Sequence, residues 1–262
     1  MYTHHKFEHQ FDHRGPPSLC YVVCSTPRSG SSLLCELLCN CGLAGAPTEF
    51  FDGQQMGEFM QVWGVDGFEA YIGELLRRKT GPNGVFGFKL HHDQLSPQLA
   101  ALDWDATFPD LSYIYITRRD RIRQAVSFSK AIQSGQWASQ HDHNGREPRF
   151  DLEELRSCLR NIELQERRWE EHFARHGIEP LRVVYEDLVP RQEATLRESL
   201  RFLGLDLPTG ARVPPPTLLR QADRHSERWV RRFRKLQDAR VLPVWRRALQ
   251  ALGVLGRASV GE

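Results

Sequence analysis

The apolar positions of this chain fall into two periods, and the periods alternate along it. Short continuous apolar runs rich in β-branched and aromatic residues occur near 19–25, 84–90, 111–117 and 181–185, the pattern of strands buried on both faces. Between and after them lie segments whose apolar residues recur at helical spacing. Leu33, Leu34, Leu37 and Leu38 mark a helix near 30–40. Further helices are predicted near 58–79, 121–134, 151–176, 191–203 and 223–238, with i,i+4 charge pairs such as Glu163–Arg167 in the fourth of these. Such alternation predicts an α/β fold: a mostly parallel central sheet covered by helices on both faces. Ligands of such sheets bind outside the carboxyl ends of the strands, so those ends are where chemistry is sought.

The first strand end carries the strongest signal. After Leu19–Cys24 the chain reads Ser25-Thr26-Pro27-Arg28-Ser29-Gly30-Ser31-Ser32, then turns helical at Leu33. A strand, a tight hydroxyl-rich turn and a helix N-terminus make an anion cradle, because free backbone N–H groups and the positive dipole end converge. Arg28 adds a fixed charge, and Ser29, Ser31 and Ser32 add hydroxyl donors. The spacing excludes two common phosphate sites. A Walker loop requires a lysine after its second glycine, and Ser31 follows Gly30. A cysteine phosphatase requires a cysteine six residues before its arginine, and Cys24 is four before Arg28. The competing reading, a serine-rich helix cap, needs one serine and not several around an arginine.

The other strand ends carry chemistry too. Lys89, His91 and His92 close the second, and Arg118-Arg119-Asp120 the third, with Asp120 placed to cap a helix bearing Ser127. Tyr185-Glu186-Asp187-Leu188 follows the fourth. Taken alone, Arg118 and Arg119 also read as an exposed surface pair, and Asp187 as a turn cap.

Together these segments resemble the trehalose 2-sulfotransferase family of enzymes that use 3′-phosphoadenylyl sulfate (PAPS). The resemblance runs over roughly residues 20–236. It rests on the 25–32 loop, Gly45-Ala46-Pro47-Thr48-Glu49-Phe50-Phe51, Asn83–Leu90, Gln124–Phe128 and Arg220-Gln221-Ala222-Asp223. It implies the P-loop-like sulfotransferase fold, with PAPS as co-substrate and no metal. By resemblance Arg28, Ser29, Gly30, Ser31 and Ser32 hold the 5′-phosphosulfate, Arg118 and Ser127 the 3′-phosphate, Tyr185 lies near the adenine, and Arg220 belongs to the nucleotide site. Glu49 matches the family's general base, and apolar neighbours are expected to raise its pKa. His91 and His92 are alternative bases. Arg28 and Lys89 are expected to offset charge on the leaving phosphate. The implied acceptor is a small hydroxylated molecule, a sugar such as trehalose; the stretch between Phe51 and Asn83 is shorter than the family's, which leaves the acceptor open. No nucleic-acid partner and no integral membrane association are implied, and a homodimer is left open.

Composition adds bounds. A chain of 262 residues with 40% hydrophobic and 26% charged content suits one α/β domain. The expected organisation is a flexible His-containing arm at 1–18, one domain at 19–240 and a helix or tail at 241–262. No apolar run approaches a membrane span, and the first residues lack the apolar stretch of a secretory signal, so the expected location is the cytoplasm. Five of six cysteines fall between Cys20 and Cys41 without zinc-ligand spacing, and read as small buried hydrophobes in a reducing compartment. Net charge is only +2, yet residues 212–247 carry eleven Lys/Arg against three Asp/Glu. That basic segment keeps a second class open, a nucleotide- or polyanion-binding module without catalysis. A kinase-like phosphotransferase is a third, disfavoured by the missing loop lysine.

Overall fold

The computed structural model describes residues 10–137, 145–218 and 225–237. Four strands form one sheet: β1 (Leu19–Ser25), β2 (Val85–His91), β3 (Ser112–Thr117) and β4 (Leu181–Val184). Their order is β2-β1-β3-β4, and every neighbouring pair is parallel. Parallel pairing needs crossover connections, which the helices supply. β1 is central, and Cys20–Cys24 are at most 1% exposed, which explains its unbroken apolar run.

Side-chain alternation divides the core. Cys20, Val22 and Cys24 of β1, with Phe86, Phe88 and Leu90 of β2, face a layer built from α2 (Gly53–Trp63), α3 (Phe68–Lys79) and α7 (Leu152–His176). Tyr21 and Val23, with Ile114 and Ile116 of β3, face α1 (Ser31–Asn40) and α9 (Gln192–Phe202). Two 4-residue helices, α4 (Pro97–Ala100) and α5 (Trp104–Thr107), carry the chain from β2 to β3. α6 (Arg121–Ser134) packs on α7, and α8 (Tyr185–Leu188) follows β4 directly.

The expected single helix at 58–79 is two helices. Gly64, with φ +65°, ends α2 in a left-handed cap, and α3 starts after Gly67. α4, α5 and the 3-10 turn His92–Gln94 are too short to show a period and were not expected. Residues 10–14 of the N-terminal arm run along the end of α3, where the Phe11 and His13 amides donate to the Arg78 and Arg77 carbonyls at 2.9 Å each. The helix at 225–237, α10, buries Trp229, Val230 and Phe233 against Val126 and Leu155. Several of its charges are spent inside the fold: Arg234 pairs with Asp120 at 2.9 Å, and Glu227 pairs with Arg123. The expected tail at 241–262 lies outside the described residues.

Register aligns the functional ends. Ser25 pairs with His91, and Thr117 of β3 pairs with Val184 of β4. The residues that follow, Arg118 and Tyr185, therefore emerge side by side. Tyr21 pairs with Gly87, and a Cβ on Gly87 would lie 2.2 Å from the Tyr21 ring. The space left by this glycine lets the Tyr21 hydroxyl donate to the Ala44 carbonyl at 2.7 Å, which holds the stretch leading to Glu49.

Candidate active site

The loop between β1 and α1 is shaped by two left-handed residues, Arg28 (φ +63°) and Gly30 (φ +96°). Gly30 is the N-cap of α1, and no side chain caps that helix. The serines are thus not a cap, and Gly30, Ser31 and Ser32 at the start of the helix line the cavity. Gly30 serves a second purpose, because a Cβ there would lie 2.3 Å from the Tyr185 ring. The loop is held from below. Buried Gln124 of α6 donates to Thr26 Oγ1 and to the Pro27 carbonyl, both at 2.8 Å. Trp169 Nε1 of α7 donates to the Ser25 carbonyl at 3.0 Å.

Two arginines flank the loop. Arg28 Nε donates to Ser127 Oγ at 2.9 Å, and its Nη1 donates to the Trp137 carbonyl. Burial and the neighbouring Arg118 pull the Arg28 guanidinium down to about 10. Arg118 lies 4.7 Å from the centre of the Tyr185 ring, and its Nη1 donates to the Arg28 carbonyl at 3.4 Å. Glu186, next to Tyr185, accepts the Arg119 and Asp120 amides at 2.9 and 3.2 Å. This ties the ends of β3 and β4 together. Asp120 accepts the Arg123 amide at 3.0 Å as the cap of α6.

At the end of β2, Lys89 is 4% exposed. Its Nζ lies 2.5 Å from Glu49 Oε1 and donates to Ser32 Oγ at 3.1 Å. The Lys89 amide donates to the Thr48 carbonyl at 2.9 Å, which fixes the 45–50 stretch against the strand. Gln94 Nε2 donates to Glu49 Oε2 at 2.8 Å, and His91 Nε2 is 3.7 Å from Oε1. Burial alone would raise the Glu49 carboxyl, but Lys89, His91 and Gln94 outweigh it and hold it at about 2. This corrects the expectation of a raised pKa: Phe50 and Phe51 turn into the core, and the neighbours that reach the carboxylate are polar. His91 shares its Nδ1 with Ser25 Oγ at 2.9 Å, and burial lowers its pKa.

One cavity of about 2040 Å³ gathers most of these groups. Arg28, Gly30, Ser31 and Ser32 line it, as do Glu49, Lys89 and His91, and Arg118, Ser127 and Tyr185. Ser29 does not; it is buried, and its Oγ has no hydrogen-bond partner among the described residues. His92 turns away to an edge-on contact with Trp169 at 5.1 Å, which takes it out of reach as an alternative base. Arg220 lies outside the described residues. Gln94, Gln124 and Trp169 were not foreseen as supports. A glutamine on the buried face of α6 was a legible sign; nothing local marked the other two. Among the described residues no group of three or more His, Cys, Asp or Glu is placed to hold a metal ion, and no helix is long and apolar enough to cross a membrane.

A parallel sheet whose strand ends carry an uncapped anion loop, two arginines and a Lys–Glu pair defines an anion-handling group-transfer site. Comparison with known proteins names the class. Residues 20–236 match the model of the Stf0 sulphotransferase family, and the chain belongs to that family. It is 32% identical over 255 residues to a trehalose 2-sulfotransferase of Mycobacterium tuberculosis strain Erdman, covering 82% of this chain and 94% of that protein. It is 30% identical over 264 residues to a trehalose 2-sulfotransferase of Mycolicibacterium smegmatis, covering 86% and 97%. Among solved structures, a sulfotransferase from Alicyclobacillus acidocaldarius superposes with a TM-score of 0.48 at 15% identity, covering 85% of this chain and 93% of that one. The protein is a sulfotransferase.

Proposed function

We propose that this sulfotransferase takes its sulfuryl group from PAPS and passes it to a hydroxyl of a small sugar, with trehalose as the first candidate acceptor. The observation that carries the reading is the Glu49–Lys89 pair, in contact at 2.5 Å and joined through Lys89 to Ser32 of the anion loop. A base for the acceptor and a cation for the leaving group thus stand together at the place where an anion is cradled.

In this reading the loop amides, the Ser31 and Ser32 hydroxyls and Arg28 hold the phosphosulfate. Arg118 and Ser127 take the 3′-phosphate, and Tyr185 packs by the adenine. The acceptor oxygen attacks sulfur as the sulfur–oxygen bond to the 5′-phosphate breaks, and the hydroxyl proton passes to Glu49. The products are a sulfate ester and adenosine 3′,5′-bisphosphate. Lys89 stabilises the charge growing on the leaving oxygen. A carboxyl held at about 2 is a weak base in the resting site. As Lys89 turns to the leaving oxygen, its hold on Glu49 relaxes and the carboxylate gains basicity when the proton must move. Six free cysteines suit a reducing compartment, and we place the enzyme in the cytoplasm.

The test is transfer of labelled sulfate from PAPS to trehalose and then to other glucosides, alongside calorimetric titration with adenosine 3′,5′-bisphosphate and AMP. The reading expects labelled sugar and markedly tighter binding of the bisphosphate. Equal affinity for the two nucleotides, or no transfer to any sugar, overturns it.

A further inference from the structure

Glu36, in the second turn of α1, is a carboxylate only 3% exposed that the proposed chemistry does not use. Its Oε1 accepts hydrogen bonds from the Thr217 amide at 2.6 Å and the Thr217 hydroxyl at 2.7 Å, and its Oε2 from the Leu218 amide at 3.1 Å. A buried carboxylate is tolerable only when donors fill its lone pairs. Here all three donors come from two adjacent residues of one irregular segment.

One turn further along α1, Asn40 Nδ2 donates to the Pro214 carbonyl at 3.2 Å. The strap 214–218 therefore runs antiparallel to α1, from its C-terminal end toward the anion loop. Pro214, Pro215 and Pro216 stiffen it, which lowers the entropy lost on ordering. Pro215, Pro216 and Leu218 line the cavity. They share the α1 and α9 side of the sheet, where Val189 and Gln192 line the cavity beyond Tyr185. Glu49 and Lys89 lie at β2, the edge strand at the other end of the sheet from β4 and Tyr185, and their partners there are Gln94, His91 and Ser32.

We propose that Glu36 is a positioning residue for the nucleotide, holding the strap against α1 so that it walls the part of the cavity beside the anion loop and Tyr185. This rests on the reading of PAPS as donor. The acceptor side at Glu49 is formed without the strap.

The test uses the full chain, with Glu36→Gln and Glu36→Ala beside Thr217→Val, which removes only the hydroxyl donor. Wild-type titration with adenosine 3′,5′-bisphosphate comes first; absence of binding there overturns the donor reading and this proposal with it. With wild-type binding in hand, Glu36→Ala should weaken the bisphosphate about tenfold or more and raise KM for PAPS in parallel, with Thr217→Val a few-fold and Glu36→Gln between the two. The acceptor KM should stay within about twofold, because the acceptor side does not touch the strap. A purely structural role would lower the melting temperature and leave this split absent. Nucleotide affinity unchanged in folded Glu36→Ala, or equal rises in both KM values, overturns the assignment while leaving the donor reading intact. Should the Glu36 variants fail to fold, unchanged affinity in Thr217→Val overturns it equally.

Discussion

The Lys89 ammonium touches the Glu49 carboxylate at 2.5 Å although the two residues lie forty positions apart. The contact is made by the main chain: the Lys89 amide donates to the Thr48 carbonyl, so the residue before Glu49 is hydrogen-bonded to the strand that carries Lys89. Backbone geometry thereby brings the two side chains to one place, where carboxylate and ammonium meet.

Glu49→Gln keeps the shape of the side chain and removes its ability to take a proton. Turnover should fall ~10²–10⁴-fold, the usual range for loss of a general base. Affinity for adenosine 3′,5′-bisphosphate should stay close to wild type, because in the proposed function Glu49 serves the acceptor and not the nucleotide. Rates with labelled PAPS and calorimetric titration check both halves. Wild-type turnover in this variant would place the base elsewhere, with His91 the next residue to test.

The same carboxyl makes stability depend on pH. Its pKa is lowered from an ordinary 4.5 to about 2 in the fold. A depressed folded-state value stabilises the protein above the unfolded value, and that contribution fades as pH falls from about 5 toward 2. Roughly 2 kcal/mol of it should be gone by about pH 3. Other carboxylates titrate in the same range, so the quantity to follow is the difference in denaturant unfolding free energy between wild type and Glu49→Gln. The difference should move against the wild type on acidification. A pH-independent difference would mean that the pair contributes nothing through ionisation.

Arg118→Ala removes a charged donor beside the loop. Loss of one charge-assisted contact is worth roughly 1.5–3 kcal/mol, or about ten- to a hundredfold in affinity for adenosine 3′,5′-bisphosphate. AMP should lose much less, since it lacks the 3′-phosphate. Equal losses for the two nucleotides would show that Arg118 acts on the loop and not on that phosphate.

Gly30→Ala should fail for two reasons at once. Its φ of +96° strains any residue with a Cβ, and the added atom would lie 2.3 Å from the Tyr185 ring. Backbone strain of this kind costs about 1–3 kcal/mol before the displaced ring is counted. Both the melting temperature and nucleotide affinity should drop. A variant that melts like wild type would mean the loop has another conformation open to it.

How much of this was legible follows from which interactions are local. The four strands were visible because each is an apolar run, and the parallel sheet followed from their alternation with helices. The 25–32 loop was legible from its hydroxyl-rich composition after a strand, while Arg118 and Tyr185 were singled out by resemblance and lie at strand ends, where such sheets bind. Two glycines, Gly64 and Gly67, already marked the break at 64–67, yet the apolar spacing on either side reads through it. The phase of Ser29 was not readable, because left-handed Arg28 and Gly30 on either side set where its hydroxyl points. Nor was the low pKa of Glu49, since Lys89, His91 and Gln94 reach it from another strand end.

Burial first, and then the positive charge of neighbouring Arg118, pull the Arg28 guanidinium down inside the cleft. Two like charges that line one cavity, Arg28 and Arg118, favour an anion placed between them. Inorganic sulfate or phosphate in a storage buffer would therefore act as a mild stabiliser and, by the same contact, as a competitor for the donor. Melting curves and rates taken in different salts will then disagree in opposite senses: the buffer in which the protein keeps longest is the one in which it works slowest.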